Sequence, residues 1–80
     1  MDPLANIIFA LSELGDDTST PKNIKAKLEN VLKFLNASEF EMSVRVSKAL
    51  GELDEISQDS NVQPYMRAQL FNIVSLLESF

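Results

Sequence analysis

The stretch Leu53-Asp54-Glu55-Ile56-Ser57-Gln58-Asp59-Ser60-Asn61-Val62-Gln63-Pro64 decides the fold, because an acidic helix end runs there through turn-forming polar residues into a helix opened by proline. Proline at the first helical position costs no hydrogen bond, since that N–H has no partner inside the helix. Upstream, Met42, Val46, Ala49, Leu50, Leu53 and Ile56 fall on one side of a 3.6-residue wheel, and downstream Met66, Leu70, Ile73, Val74 and Leu77 do the same. Two such helices joined by a short connection pack as an antiparallel hairpin.

An earlier stretch, Leu14-Gly15-Asp16-Asp17-Thr18-Ser19-Thr20-Pro21, makes a similar corner. Before it, Leu4, Ile7, Ile8, Leu11 and Leu14 form a helical stripe, with Asp2 and Pro3 as its start and Gly15 expected in a left-handed C-terminal cap. After it, Thr20 is expected to cap a helix beginning at Pro21, whose stripe is Ile24, Leu28, Val31, Leu32 and Leu35. Ser38-Glu39-Phe40-Glu41 has the form of a capping box, which predicts a very short connection into the third and longest helix, of about five turns.

The two corners are followed by similar sequences. Residues 24–35 align on 66–77, pairing Asn30 with Asn72 and Lys25 with Arg67, and Ala10-Leu11-Ser12-Glu13-Leu14 aligns on Ala49-Leu50-Gly51-Glu52-Leu53. The expectation is one all-α domain over residues 1–80: an up-down-up-down antiparallel four-helix bundle made of two similar helical hairpins, at about 3–36 and 38–80.

Composition narrows the function. The chain has no cysteine and no histidine, which removes thiolate chemistry, disulfides and the commonest acid–base group and metal ligand. Twelve acidic against seven basic side chains leave a net charge of −5, which opposes binding to phosphate backbones and anionic membranes. No apolar run reaches the roughly 20 residues needed to cross a bilayer, and no basic flank precedes Leu4–Leu11 to suggest a signal peptide. A cytoplasmic, non-enzymatic protein without cofactor, metal or catalytic residues is expected.

Several segments resemble an uncharacterised family of short archaeal proteins: Asp17-Thr18-Ser19-Thr20-Pro21-Lys22-Asn23-Ile24-Lys25, Val44-Arg45-Val46, Leu53 to Asn61, and Ser75-Leu76-Leu77-Glu78. Where that family usually carries tryptophan in its last helix, this chain has Phe71. The resemblance implies a compact helical fold and an archaeal cytoplasm, and no activity.

Three groups of residues are candidates for more than packing. Phe9, Phe71 and the pair Phe40 and Val44 lie off the apolar stripes, so they widen the core, stand exposed singly, or form an interaction surface for a protein partner or a second copy. In the alignments above, Phe71 stands where the first hairpin has Glu29, and Phe9 where the second has Lys48. The carboxylates Glu52, Asp54, Glu55 and Asp59 sit at the negative end of a helix dipole. A structural clasp is expected there, with Arg67 paired to Asp54 or Glu55. The same carboxylates suit a hard cation by chemistry, but their spacing is not that of a calcium loop. Finally, Lys22, Lys25 and Lys33 lie near one face of the second helix with Glu29 among them. They are the anion-contacting candidates of an alternative reading, an RNA-associated factor; a solvated outer face is the plainer one.

Overall fold

The structure, a computed structural model, describes residues 2–80. Four helices follow in order: α1 (Pro3–Asp16), α2 (Lys22–Asn36), α3 (Met42–Ser57) and α4 (Pro64–Glu78). Each packs on two neighbours, α1 on α2 and α4, α3 on α2 and α4, so the bundle is a closed square of antiparallel helices, and among the described residues the backbones of diagonal helices do not approach closely. Its extents are 32 × 21 × 20 Å.

The stripes form the core. Ile7, Leu11 and Leu14 meet Ile24, Leu28, Val31 and Leu35, with Val46, Ala49, Leu53 and Ile56 and then Met66, Leu70, Ile73 and Leu77 completing the square. Burying each of the larger side chains contributes on the order of 1.5–3 kcal/mol, which is what holds helices of 14–16 residues that would be marginal alone. Asp2 caps α1 as expected, its Oδ1 accepting the Leu4 N–H at 3.0 Å. Pro64 opens α4.

Three helix ends differ from the sequence expectation. Gly15 is not a left-handed cap: α1 runs through it to Asp16, and no glycine has positive φ. Thr20 is the reason. Its buried hydroxyl donates to the Leu14 carbonyl at 2.8 Å and so satisfies a C-terminal acceptor that a glycine cap would otherwise serve. Thr20 therefore caps α1 rather than α2, which has Pro21 at its N-cap position and begins at Lys22. Ser38-Glu39-Phe40-Glu41 is not a capping box either. Phe40 donates its N–H to the Ala37 carbonyl at 3.0 Å, closing a turn, and Glu41 precedes α3 with no side-chain cap. The Arg45 Nε, at 2.8 Å from the Phe40 carbonyl, stabilises that turn in place of the helix start. Helix α3 is the longest, at 16 residues, somewhat short of five turns.

The repeat is real, and its register is uniform at 42 positions. Ile7 corresponds to Ala49, Leu11 to Leu53, Leu14 to Ile56, Ile24 to Met66, Leu28 to Leu70, Val31 to Ile73 and Leu35 to Leu77, every one of them buried. Thr20 and Val62, in the two corners, are buried at equivalent places as well. The alignment of Ala10–Leu14 on Ala49–Leu53 is thus off by three residues, nearly one helical turn, which is why both registers match the apolar pattern. Phe9 corresponds to Gly51 and not to Lys48.

The two hairpins are not packed alike at their seams. Helices α2 and α3 approach most closely, whereas the equivalent seam between α4 and α1 is the most open. Phe34 fills the closed seam, half-buried, with the Lys48 ammonium 5.7 Å from its ring centre. The equivalents of those two residues are Leu76, which is exposed, and Asn6.

Candidate interaction surface

The corners between α1 and α2 and between α3 and α4 lie at one end of the bundle and hold each other. In the first, Asp17 Oδ1 accepts the Ser19 N–H at 2.9 Å and the Ser19 hydroxyl at 2.7 Å, while its Oδ2 accepts the Tyr65 hydroxyl at 2.8 Å. In the second, Asp59 Oδ1 accepts the Asn61 N–H at 2.8 Å and Oδ2 accepts the Asn23 amide at 3.1 Å. Asp17 and Asp59 are repeat equivalents, as are Asn23 and Tyr65. Each aspartate therefore uses one oxygen for its own turn and the other for the opposite hairpin. Such reciprocal contacts are the mark of a two-fold relation, here running along the bundle inside a single chain.

Arg67 does clasp the second corner, but not through a carboxylate. Its Nη2 donates to the Asp59 carbonyl at 2.9 Å, in place of the expected pairing with Asp54 or Glu55. Asp54 instead accepts the Gln58 side-chain amide at 3.0 Å. The Asp59 carbonyl, which also accepts the Val62 N–H at 3.2 Å, has a second lone pair to offer Arg67 within the turn itself.

These bonds hold the Asp17 carboxyl below the ordinary aspartate value of 3.8, chiefly through the Ser19 N–H, then the Ser19 and Tyr65 hydroxyls, with the Lys25 charge adding slightly. A carboxyl whose folded pKa is lowered stabilises the fold fully above its unfolded value and loses that contribution as pH falls through the folded one. Asp17→Asn is accordingly expected to melt below the wild type at pH 7, by a margin constant down to about pH 5 that vanishes as acid protonates Asp17. Melting curves from pH 2 to 8 check it, and a margin that grows in acid would contradict the assignment.

Helix α4 is flanked by open grooves on both sides. The groove toward α3, of about 490 Å³, is lined by Leu50, Asp54 and Ser57 on one wall and by Arg67, Phe71, Val74 and Glu78 on the other. A second depression, sharing Leu50 with it, is lined by Met42, Val46 and Phe80. The groove toward α1, about 320 Å³, is more polar at its rim, with Glu13, Asp17, Gln69 and Asn72. The equivalent of the α3/α4 groove in the first hairpin lies between α1 and α2. It measures only about 140 Å³, and Lys25 and Glu29 stand there in the places of Arg67 and Phe71.

The sequence candidates are distributed over this frame rather than gathered in it. Phe9 and Phe71 are the most exposed large apolar residues, at 64% and 71%, yet Phe9 stands on the outer face of α1 and Phe71 on the α3 flank of α4. Phe40 is exposed in the connection before α3, so it and Val44 are not a pair one turn apart within a helix. Leu50 and Val74, which complete the groove beside Phe71, read in sequence as plain stripe residues. Tyr65 and Asn23 carried no sequence signal except their place in the repeat. On α2, Lys22 and Lys33 are exposed, whereas Lys25 is half-buried in the narrow groove with Asp16 and Glu29. Acidic neighbours on that face leave no uninterrupted cationic strip. Among the described residues no cluster of carboxylates could hold a metal ion, and no helix is long and apolar enough to cross a membrane.

Comparison with known proteins agrees with this architecture. A UPF0147 protein of the archaeon Sulfurisphaera tokodaii is 38% identical over 72 residues, which is 90% of this chain and 81% of the relative. One from Metallosphaera sedula is 36% identical over the same length, with the same shares. The crystal structure of "unknown function protein MMP1188" superposes with a TM-score of 0.95 at 40% identity, covering 99% of this chain and 90% of that one. The profile of the Uncharacterised protein family (UPF0147) matches residues 1–80, and the chain belongs to that family.

Proposed function

We propose that this protein is a non-enzymatic protein-interaction module of the cytoplasm, and that its docking site is the groove between α3 and α4 centred on Phe71. One observation carries the reading. Two hairpins with the same core and the same corner chemistry differ at equivalent grooves: the first is narrow and edged by Lys25 and Glu29, the second over three times larger with a largely exposed phenylalanine on its wall. Packing does not require Phe71, since the equivalent place is filled by an exposed glutamate in the other half. Aromatic anchors in an otherwise charged surface are what interface centres are made of. The groove's length and apolar floor suit a helix laid along it.

The test is recovery of the tagged protein from crosslinked cells, wild type beside Phe71→Glu, with and without nuclease. Discrete protein partners that survive nuclease and are lost in Phe71→Glu are the expected result. A partner set unchanged by Phe71→Glu would refute the site, and partners lost on nuclease treatment would move the function to Lys22, Lys25 and Lys33 and to RNA.

A further inference from the structure

Helix α4 is α2 with its charges removed. At equivalent places Lys22 becomes Pro64, Lys27 becomes Gln69, Glu29 becomes Phe71 and Lys33 becomes Ser75. What α4 keeps is one cation near its start, Arg67 in the place of Lys25, and it gains one anion near its end, Glu78 in the place of Asn36, so its net charge is zero in a protein of net charge −5. Depletion of charge is the compositional sign of a surface that is covered. For two copies of an acidic chain, this helix is also where they approach with least repulsion.

The two remaining charges are placed in a pattern. Arg67, Phe71, Val74 and Glu78 follow one another at spacings of four, three and four, which sets them in a single row along the helix, at the spacing of a seam between paired helices. All four line the same wall of the α3/α4 groove. The row reads cation, large apolar, small apolar, anion. Turned end for end it becomes anion, small, large, cation, which is its own complement.

Resting on the interaction reading above, we propose that the partner in this groove is a second copy of the chain, docked with its α4 antiparallel to this one about a two-fold axis passing between Asn72 and Ile73. Arg67 then faces Glu78 of the second copy and Phe71 faces its Val74, each contact made twice. Leu50, Asp54 and Ser57 on α3 form the groove's other wall, with the Asp54 carboxylate engaged by the Gln58 side-chain amide. The result is an isologous interface, in which the ion pairs set direction and the Phe71 rings supply most of the buried apolar surface.

The pattern prescribes its own test. Sedimentation of the wild type should show a concentration-dependent species of twice the 8.9 kDa chain mass. Glu78→Arg alone places like charges opposite each other twice and should weaken dimerisation roughly tenfold or more, and Arg67→Glu should do the same. An equimolar mixture of these two variants restores both ion pairs between unlike copies and should recover the dimer, as should a chain carrying both substitutions. Arg67 also holds the Asp59 carbonyl, so melting curves accompany each variant; recovery on mixing cannot come from chains that have unfolded. A wild type that stays monomeric to high concentration at low salt overturns the self-pairing, as does a dimer indifferent to both charge changes. Should that monomer still capture a protein through Phe71 in crosslinked cells, the docking site stands and its occupant is a foreign helix.

Discussion

Ile7→Ala is expected to cost about 2–5 kcal/mol of folding stability, and adding Ala49→Ile is expected to return part of that loss. Both positions are buried completely or nearly so, at 1% and 0% exposure. They are repeat equivalents on diagonal helices, α1 and α3. Because both corners lie at one end of the bundle, the internal two-fold runs along its length, and equivalent residues stand at one height facing that axis. Isoleucine on one side and alanine on the other make a layer of fixed volume. Removing the isoleucine opens a cavity; enlarging Ala49 alone overfills the layer, at about 1–3 kcal/mol. The double variant keeps the volume and moves it to the opposite helix, so the two changes should couple favourably, by about 0.5–3 kcal/mol in the range found for residues in contact. Chemical denaturation of the four members of the cycle measures this. Strictly additive losses would mean that the two side chains do not share a layer, and the axis would have to be placed elsewhere.

The same two-fold explains what was legible in the sequence. Each apolar stripe reported its own buried face faithfully, since a 3.6-residue period is a local property and every stripe residue is buried or packed at the core's edge. Pro64 marked a helix start for the same local reason. What failed was long-range. Thr20 has the composition of a cap for the helix that follows, but its hydroxyl reaches back six residues to α1, a choice made by burial in the closed bundle. Arg67 reads as the partner of a carboxylate because charge is visible in sequence, whereas the carbonyl it takes is not. Val62 lies in a polar corner outside every stripe, and it is core.

The candidate surface was legible only in part. That Phe9, Phe40, Val44 and Phe71 lie off the stripes is a sequence fact, but their separation in space depends on which helix flanks which. The groove itself came from Leu50 and Val74, stripe residues left half-buried where α3 and α4 stand apart. Extending the 42-position register of residues 24–35 back through the corner, instead of changing to 39 for Ala10–Leu14, pairs Asp17 with Asp59 and Asn23 with Tyr65. The corner network was written in that register.

Leu28→Ala is expected to destabilise the protein by more than Leu70→Ala, although the two residues are equivalent and both 1% exposed. Each truncation removes the same transfer energy, and the difference lies in the cavity each leaves. A cavity costs less where the surroundings can close over it, which is why identical Leu→Ala changes span about 2.7–5 kcal/mol in one well-studied protein, T4 lysozyme. Leu28 sits on α2, the helix held in the close α2/α3 seam. Leu70 sits on α4, with an open groove on either flank, so that helix can shift inward. Leu28→Ala should therefore fall toward the upper end of that range and Leu70→Ala toward the lower. Leu35→Ala and Leu77→Ala, one further equivalent pair, should repeat the order. The comparison belongs at concentrations where Glu78→Arg leaves the melting temperature unchanged, because a second copy seated on α4 would close its groove and raise the cost there. Amide exchange supplies the independent readout: α4 should open at lower free energy than α2 in the wild type. Equal losses across both pairs, with equal protection of the two helices, would show that α4 is seated as firmly as its twin, and its openness would then be a matter of surface shape and not of packing.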